Sequence, residues 1–306
     1  MDLEKKVKVV ILMSTYNGEK FLKKQIESIL NQKDVLVRII VRDDGSVDDT
    51  QKILNMYKKK GLLNWYTGEN KKTARSFLDL IDKAPKADYY AFSDQDDVWL
   101  STKLITAIKK LKKFDDSPAL YAGNYKLVDE NLNELISMNI HKTTTEFNEA
   151  IVYSCCTGCT MVINNKLMEN IKGKHPKYIF MHDDWIHKVC LGIGGNVIYD
   201  DSKKLLYRQH DNNVEGGKHG LIDKVMKVYS DKKNNEHVMQ KQLLEILRLY
   251  KHQLTSDNYL VARYAIDKSK GNFLDRLQLA FNKKYKIKES KKLNHEFQIA
   301  LILNYW

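Results

Sequence analysis

A chain of 306 residues with 43% hydrophobic side chains can bury the core of one large domain, or of one domain plus an appendage, and does not have the composition of a disordered protein. No run approaches the ~18 consecutive apolar residues of a membrane span, and Met-Asp-Leu-Glu-Lys-Lys at the N-terminus lacks a signal-peptide layout, so a cytoplasmic location is expected. The formal charge of +12 is uneven, with 18 Lys and Arg against 9 Asp and Glu from Gly216 onward and 33 against 30 before it; this suggests an anionic partner, membrane or nucleic acid, unless the lysines only solvate a helical surface.

Val7–Leu12 is a short apolar run of the kind shown by a buried parallel strand. Leu22, Ile26, Ile29 and Leu30 then fall at helical spacing within residues 19–32. Residues 35–41 read as a second strand ending at Arg42-Asp43-Asp44-Gly45-Ser46, followed by a helix with Ile53, Leu54 and Tyr57 inward. Leu62–Tyr66 and Ala74–Ile81 read as the next strand and helix. Tyr89-Tyr90-Ala91-Phe92 runs into Ser93-Asp94-Gln95-Asp96-Asp97-Val98-Trp99. Strands alternating with helices imply βαβ units, hence an α/β fold with a mostly parallel sheet flanked by helices.

Beyond Asp129 the pattern loosens, and residues 131–148 are polar and loop-rich. Residues 160–163 read as a strand and 166–171 as a helix. Residues 186–191 read as a helix behind His182-Asp183-Asp184-Trp185, and 197–199 and 205–207 as two strands. From Leu221 onward helices are expected. Their bulky stripes, such as Leu243, Leu244, Leu247 and Tyr250, or Phe273, Leu277 and Phe281, have core spacing. Two glycines and the charge shift put a boundary near residues 213–220, giving a catalytic domain over 1–215 and a basic helical C-terminal extension over 216–306. Three prolines exclude Pro-rich linkers. Of four cysteines, Cys156 and Cys159 form a C-x-x-C pair, with no second pair to complete a zinc site. Their apolar flanks indicate semi-buried, reduced thiols.

Three strand ends carry polar clusters: Ser14-Thr15-Tyr16-Asn17-Gly18-Glu19, Asp43–Ser46 and Asp94–Asp97. In a parallel sheet such tips converge on one rim, where ligands bind. Clustered carboxylates are costly to desolvate unless a cation or a hydrogen-bond network compensates them. A divalent metal holding a nucleotide diphosphate meets that need, and Asp43 suits the N–H of a pyrimidine ring. The plainer alternative is that Asp94, Asp96 and Asp97 open and cap a helix. No G-x-G-x-x-G follows the first strand and no Walker A motif occurs.

Ser14-Thr15-Tyr16-Asn17-Gly18, Val41-Arg42-Asp43-Asp44-Gly45-Ser46 with Asp48 and Thr50, and Asp94-Gln95-Asp96-Asp97 occur in that order. His182-Asp183-Asp184-Trp185 and Tyr207-Arg208-Gln209-His210-Asp211-Asn212-Asn213-Val214 follow. Over residues 7–215 this resembles the inverting family-2 glycosyltransferases of the GT-A fold, and Ser-Asp-Gln-Asp-Asp-Val-Trp resembles bacterial rhamnosyltransferase-type members that build surface polysaccharides. The resemblance implies that Thr15, Tyr16, Asn17 and Glu19 line a nucleotide site, with Asp43 at the base, Asp44 close by, Arg75 as a basic contact and Asp94 near the ribose. It implies Asp96 and His210 as ligands of Mg2+ or Mn2+ and Arg208 facing the diphosphate. The general base is implied at Asp183 or Asp184. Asp183 is preferred, although Asp184 stands where the common form has Trp. Trp99 and Trp185 are candidates for stacking on a sugar, against core packing, and Gly158 for the acceptor-side wall.

The implied reaction moves a sugar from a nucleotide-diphosphate donor, dTDP-rhamnose first and a UDP-hexose second, to a saccharide acceptor that is free or lipid-linked. The lysines of the extension would then face an anionic membrane surface or an undecaprenyl-diphosphate acceptor, with the enzyme peripheral at the inner face of the cell membrane. A sugar-nucleotide nucleotidyltransferase would need a Gly-rich basic N-terminal loop, which is missing. A nucleic-acid-binding protein would leave the acidic rim unexplained, so no nucleic acid is expected as partner.

Overall fold

The computed structural model describes residues 6–135, 142–210, 237–288 and 290–306. Contacts divide the chain into two compact units: Met1–Ser137 with Thr157–Gly173 and Asn196–Arg208, and Met138–Cys156 with Lys174–Gly195 and Gln209–Trp306. The boundary expected near residues 213–220 lies outside the described residues. Residues 142–156 and 174–195 group with the C-terminal helices rather than with the sheet.

The first unit is built on one sheet of eight strands: β1 (Val7–Thr15), β2 (Val35–Asp43), β3 (Leu63–Thr67), β4 (Tyr89–Ser93), β5 (Val98–Trp99), β6 (Ala119–Val128), β7 (Val162–Asn164) and β8 (Asn196–Arg208). Their order is β3-β2-β1-β4-β7-β6-β8-β5. The first four are parallel to one another, and β7 reverses direction between β4 and β6. β1 is covered on both faces, with Val9–Met13 all buried, as its unbroken apolar run demands. Helices α1 (Leu22–Leu30), α2 (Thr50–Lys59), α3 (Lys72–Lys83), α4 (Lys103–Leu111) and α6 (Asn165–Ile171) belong to this unit. Each buries the apolar stripe that its spacing marks: Leu22, Ile26 and Ile29 on α1, Phe77, Leu80 and Ile81 on α3. Buried Asn164 caps α6 through its side-chain oxygen, which accepts from Leu167 N–H and Ala119 N–H, while its amide donates to the Phe114 and Ser117 carbonyls.

Two expectations change here, and one strand is new. No helix begins at the acidic cluster; the next one starts at Lys103, after β5 has paired with β8. The helix-cap reading of Asp94–Asp97 therefore falls. Residues 197–199 and 205–207 are one strand, β8, whose polar middle is accommodated by register shifts against β6. β6 itself, Ala-Leu-Tyr-Ala-Gly-Asn-Tyr-Lys-Leu-Val, alternates too irregularly to be marked in the sequence.

The second unit holds α5 (Phe147–Val152), α7 (His182–Gly192), α8 (Val238–Tyr250), α9 (Ser256–Lys270), α10 (Phe273–Ala280) and α11 (Lys291–Ile302). Every residue of α7 is buried, so the helix runs through the middle of this unit. Gly192 ends it where a Cβ would come within 2.7 Å of Leu254, and Asn258 donates to the Leu191 carbonyl at 2.9 Å. Leu243, Leu247 and Tyr250 are buried as expected, but the Phe273, Leu277 and Phe281 stripe is not. α10 is turned so that Leu279 and Ala280 face inward instead. Among the described residues no helix is long and apolar enough to cross a membrane.

Candidate active site

The parallel register sets Thr15 beside Asp43, and Asp43 beside Thr67, so β1, β2 and β3 end level. The loops beyond are laced together. Asp43 is fully buried: its Oδ1 accepts from the Thr15 and Ser46 hydroxyls, its Oδ2 from Ser46 N–H at 3.0 Å and the Gln51 amide at 2.9 Å. The Asn17 N–H donates to Ser46 Oγ at 2.9 Å, the Gly18 N–H to Thr50 Oγ1 at 2.7 Å, and the Glu19 N–H to Asp48 at 3.0 Å. In return Asn17 Oδ1 accepts from Val47 N–H and Glu19 Oε2 from Asp49 N–H. Asn17 takes φ of 48°, a left-handed conformation that asparagine tolerates. Asn17, Glu19 and Asp43 thus shape the rim, and Tyr16 is the one large aromatic of the first loop left exposed.

Asp44 is paired with buried Arg42 and accepts from Ser76 Oγ and Lys71 N–H. Arg42 also reaches Asp79 at 3.2 Å and the Glu69 carbonyl at 2.9 Å. A pocket of about 230 Å3 opens here, lined by Arg42, Tyr66, Gly68, Lys71, Asp79 and Lys83 among others. Arg75 is exposed in the first turn of α3, next to Ser76.

In the third loop Gln95, part of the motif but given no role from the sequence, grips Tyr16 by both backbone groups. The carboxylates that gather are Asp94 and Asp97. With Cys159 of the 3-10 turn Gly158–Thr160 their ligand atoms lie within 4.8 Å of one another. The metal ligands that the resemblance implies are Asp96 and His210. Asp96 is half-buried beside this cluster, and His210 lies past β8 in the second unit. Asp97 is buried, accepting from Arg208 N–H on Oδ1 at 3.3 Å, while its Oδ2 meets no nitrogen or oxygen donor among the described residues. Burial, then the charges of Asp96 and Asp94, push its carboxyl well above the usual range. A cation would offset that repulsion. Two carboxylates suit a hard cation such as Mg2+ or Mn2+. Burial, then the charges of Asp97 and Asp94, push the Cys159 thiol up.

Arg208 is almost wholly buried. Its Nε donates to the Asp96 carbonyl at 2.7 Å, its Nη1 to the Glu130 carbonyl, and its guanidinium lies over the Phe21 ring. It therefore fixes the acidic loop rather than presenting its charge at the surface. Trp99 is 3% exposed with the Lys103 ammonium 3.5 Å from its ring centroid, and Trp185 is 0% exposed beside Tyr250. Neither offers a face to a sugar, and both are core residues of their units. Burial draws the Lys103 ammonium down to about 7. Gly158 is buried in its turn.

In the second unit Asp183 and Asp184 fall inside the first turn of α7, not before it. Asp184 forms a buried ion pair with Lys188 at 2.8 Å and accepts the amide of buried Gln242 on the same oxygen. Asp183 accepts Asp184 N–H at 2.8 Å. His182 and His187 are held neutral by burial, down to about 3 and about 4. All four cysteines are free thiols, and burial pushes each one up.

A family model described as "Glycosyl transferase family 2" matches residues 10–172. The "dTDP-rhamnosyl transferase RfbG" of Shigella flexneri is 28% identical over 216 residues, 67% of this chain and 73% of that protein. The "UDP-Glc:alpha-D-GlcNAc-diphosphoundecaprenol beta-1,3-glucosyltransferase WfgD" of Escherichia coli is 27% identical over 163 residues, 53% of this chain and 62% of that one. Among solved structures, S. aureus TarS 1-349 in complex with UDP-GlcNAc is similar at a TM-score of 0.55 and 13% identity, over 97% of this chain and 91% of that one. The mannosyltransferase PcManGT from Pyrobaculum calidifontis, in complex with GDP-Man and Mn2+, has the same TM-score and identity over 99% and 88%. At such identity the likeness is one of fold.

Proposed function

Since the chain belongs to glycosyl transferase family 2, we propose that it transfers rhamnose from dTDP-rhamnose to a saccharide hydroxyl, with inversion at the anomeric carbon. The observation that carries this reading is the rim formed by the level ends of β1 and β2 and the loop after β4, stitched by Asp43, Ser46 and Gln95. Fixed loops preorganise a nucleotide site, because little ordering remains to be done on binding. Tyr16 and Arg75 present the exposed groups for the base and phosphates. Asp94 and Asp97, with Asp96 the third carboxylate of the loop, would hold Mg2+ or Mn2+, which when bound neutralises charge on the departing diphosphate.

Asp183 is the general base in this reading: it takes the proton of the acceptor hydroxyl as that oxygen attacks and the diphosphate leaves with the bonding electrons. Asp184 is disfavoured for the role because its carboxylate is held by Lys188 and Gln242. The donor follows the Shigella flexneri relative. A UDP-hexose donor is the second reading, favoured by the Escherichia coli relative, whose name also motivates a lipid-linked diphosphate acceptor. Thermal-shift titration with dTDP-rhamnose, UDP-glucose and GDP-mannose, with and without Mn2+, separates these. A ligand at a hundredfold over its Kd adds about 2.7 kcal/mol of stability. Stabilisation by dTDP-rhamnose over the others is expected; a response to UDP-glucose alone would move the donor, and no response to any would overturn the reading.

A further inference from the structure

Helix α10 leaves an apolar face uncovered. Phe273, Leu277 and Phe281 follow one another at four-residue intervals with Leu274 alongside, so they share a side of the helix. Phe273, Leu274 and Phe281 are 50%, 66% and 59% exposed. The helix itself is anchored. Asn272 and Asp275 form a capping box, Lys268 pairs with Asp275 at 2.7 Å, and Arg276 donates to the Leu301 carbonyl at 3.1 Å and the Gly271 carbonyl at 3.0 Å. The face is thus presented by a held element and not by a frayed end.

Directly after it the chain carries Lys283, Lys284, Lys286, Lys288, Lys291 and Lys292, all exposed, with one acidic residue, Glu289, in the same stretch. Scattered exposed leucines need no explanation, but bulky apolar residues grouped on one helix side and followed by six cations do. Aromatic and leucine side chains enter the boundary between headgroups and acyl chains, while lysines stay with the phosphates. We propose that this face docks on an anionic lipid bilayer, with Phe273, Leu274 and Phe281 inserted and Lys283, Lys284 and Lys286 over the headgroups. Charge complementarity selects the lipid surface over an apolar protein partner. Docking through this face is independent of which sugar the enzyme transfers.

The test is vesicle flotation of the full chain without nucleotide sugar, using phosphatidylglycerol-containing and pure phosphatidylcholine vesicles at low and high salt. The wild type is expected to float with the anionic vesicles and far less with the neutral ones. Phe273→Gln, Leu274→Gln and Phe281→Gln combined should weaken flotation at least about tenfold with an unchanged Tm, since the side chains are exposed. Lys283→Glu with Lys284→Glu should abolish the preference for anionic vesicles. Wild-type protein that stays unbound, or a triple variant that floats like it, would overturn the proposal. So would a triple variant that loses Tm, which would mean another part of the chain covers the face. A wild-type dimer that the triple variant splits in sedimentation would assign the face to a second copy.

Discussion

Gln95 holds Tyr16 at both backbone groups: its Oε1 accepts the Tyr16 N–H at 2.9 Å and its Nε2 donates to the Tyr16 carbonyl at 3.0 Å. The pairing mimics a strand partner and ties the loop after β1 to the loop after β4. A Cβ on Gly18 would come within 2.2 Å of the same amide, so a larger residue there would push the Gln95 side chain off Tyr16. Gln95→Ala removes two hydrogen bonds worth about 1 kcal/mol each. The expected result is a donor KM raised about tenfold, with kcat changed less. Gln95→Glu cannot donate to the carbonyl and should fall between. Steady-state kinetics on the three proteins checks this, and an unchanged donor KM in Gln95→Ala would refute the link.

Asp183 and Asp184 are adjacent, yet they should respond oppositely to amide substitution. Asp183→Asn should lower kcat by a hundredfold or more, on the order expected for a lost general base, while donor binding and Tm stay near wild type. Asp184→Asn leaves Lys188 buried without its countercharge and should cost about 3–5 kcal/mol of stability. Urea unfolding and single-turnover transfer measured side by side distinguish the two. Full activity in a folded Asp183→Asn protein would return the base to Asp184.

Much of this was legible in the sequence because parallel strands are buried on both faces and their apolar runs stop where polar loops begin. β1, β2 and β4 and their three tips follow from that rule alone. The alternation in β6 is broken by Ala122, Gly123 and Asn124, and the register shifts that let β8 carry Asp200 to Lys204 are tertiary. No local pattern reports either. The roles of Arg208 and Trp99 were also hidden, since composition cannot say whether a cation or an indole faces solvent or core. The Phe273, Leu277 and Phe281 stripe misled for a related reason: helical period shows that a face is apolar, not what it meets.

Asp97 should show effects of opposite sign on stability and on metal response. Its buried carboxylate sits against Asp94 and Asp96 with Oδ2 unmet by a nitrogen or oxygen donor. Asp97→Asn removes that repulsion, so the metal-free protein should gain on the order of 1 kcal/mol. The same change removes a charged oxygen from the cluster and should abolish any Tm increase on adding Mn2+. Calorimetry with Mn2+ and with a chelator reads both quantities. A variant that still responds to Mn2+ like the wild type would place the ion elsewhere.

The buried histidines of α7 give the chain an acid-sensitive stability. His187 is fully buried, with Nε2 2.8 Å from the Thr144 carbonyl. Burial is the main cause that brings it down to about 4, opposed by the Thr144 carbonyl and the Asp184 charge and assisted by Lys188. In the unfolded chain it titrates near 6.5. Between those values the unfolded state binds the proton and the native state does not, so stability rises with pH across this window and is lost as pH falls through it. By pH 5 the loss from His187 alone is about 2 kcal/mol. His182, drawn down to about 3 by burial, adds a loss of the same sign. His187→Gln keeps an amide donor for the Thr144 carbonyl but cannot take up a proton. Urea unfolding between pH 7.5 and pH 5 should therefore show a shallower decline for His187→Gln than for the wild type. Equal slopes would mean that His187 titrates alike in both states.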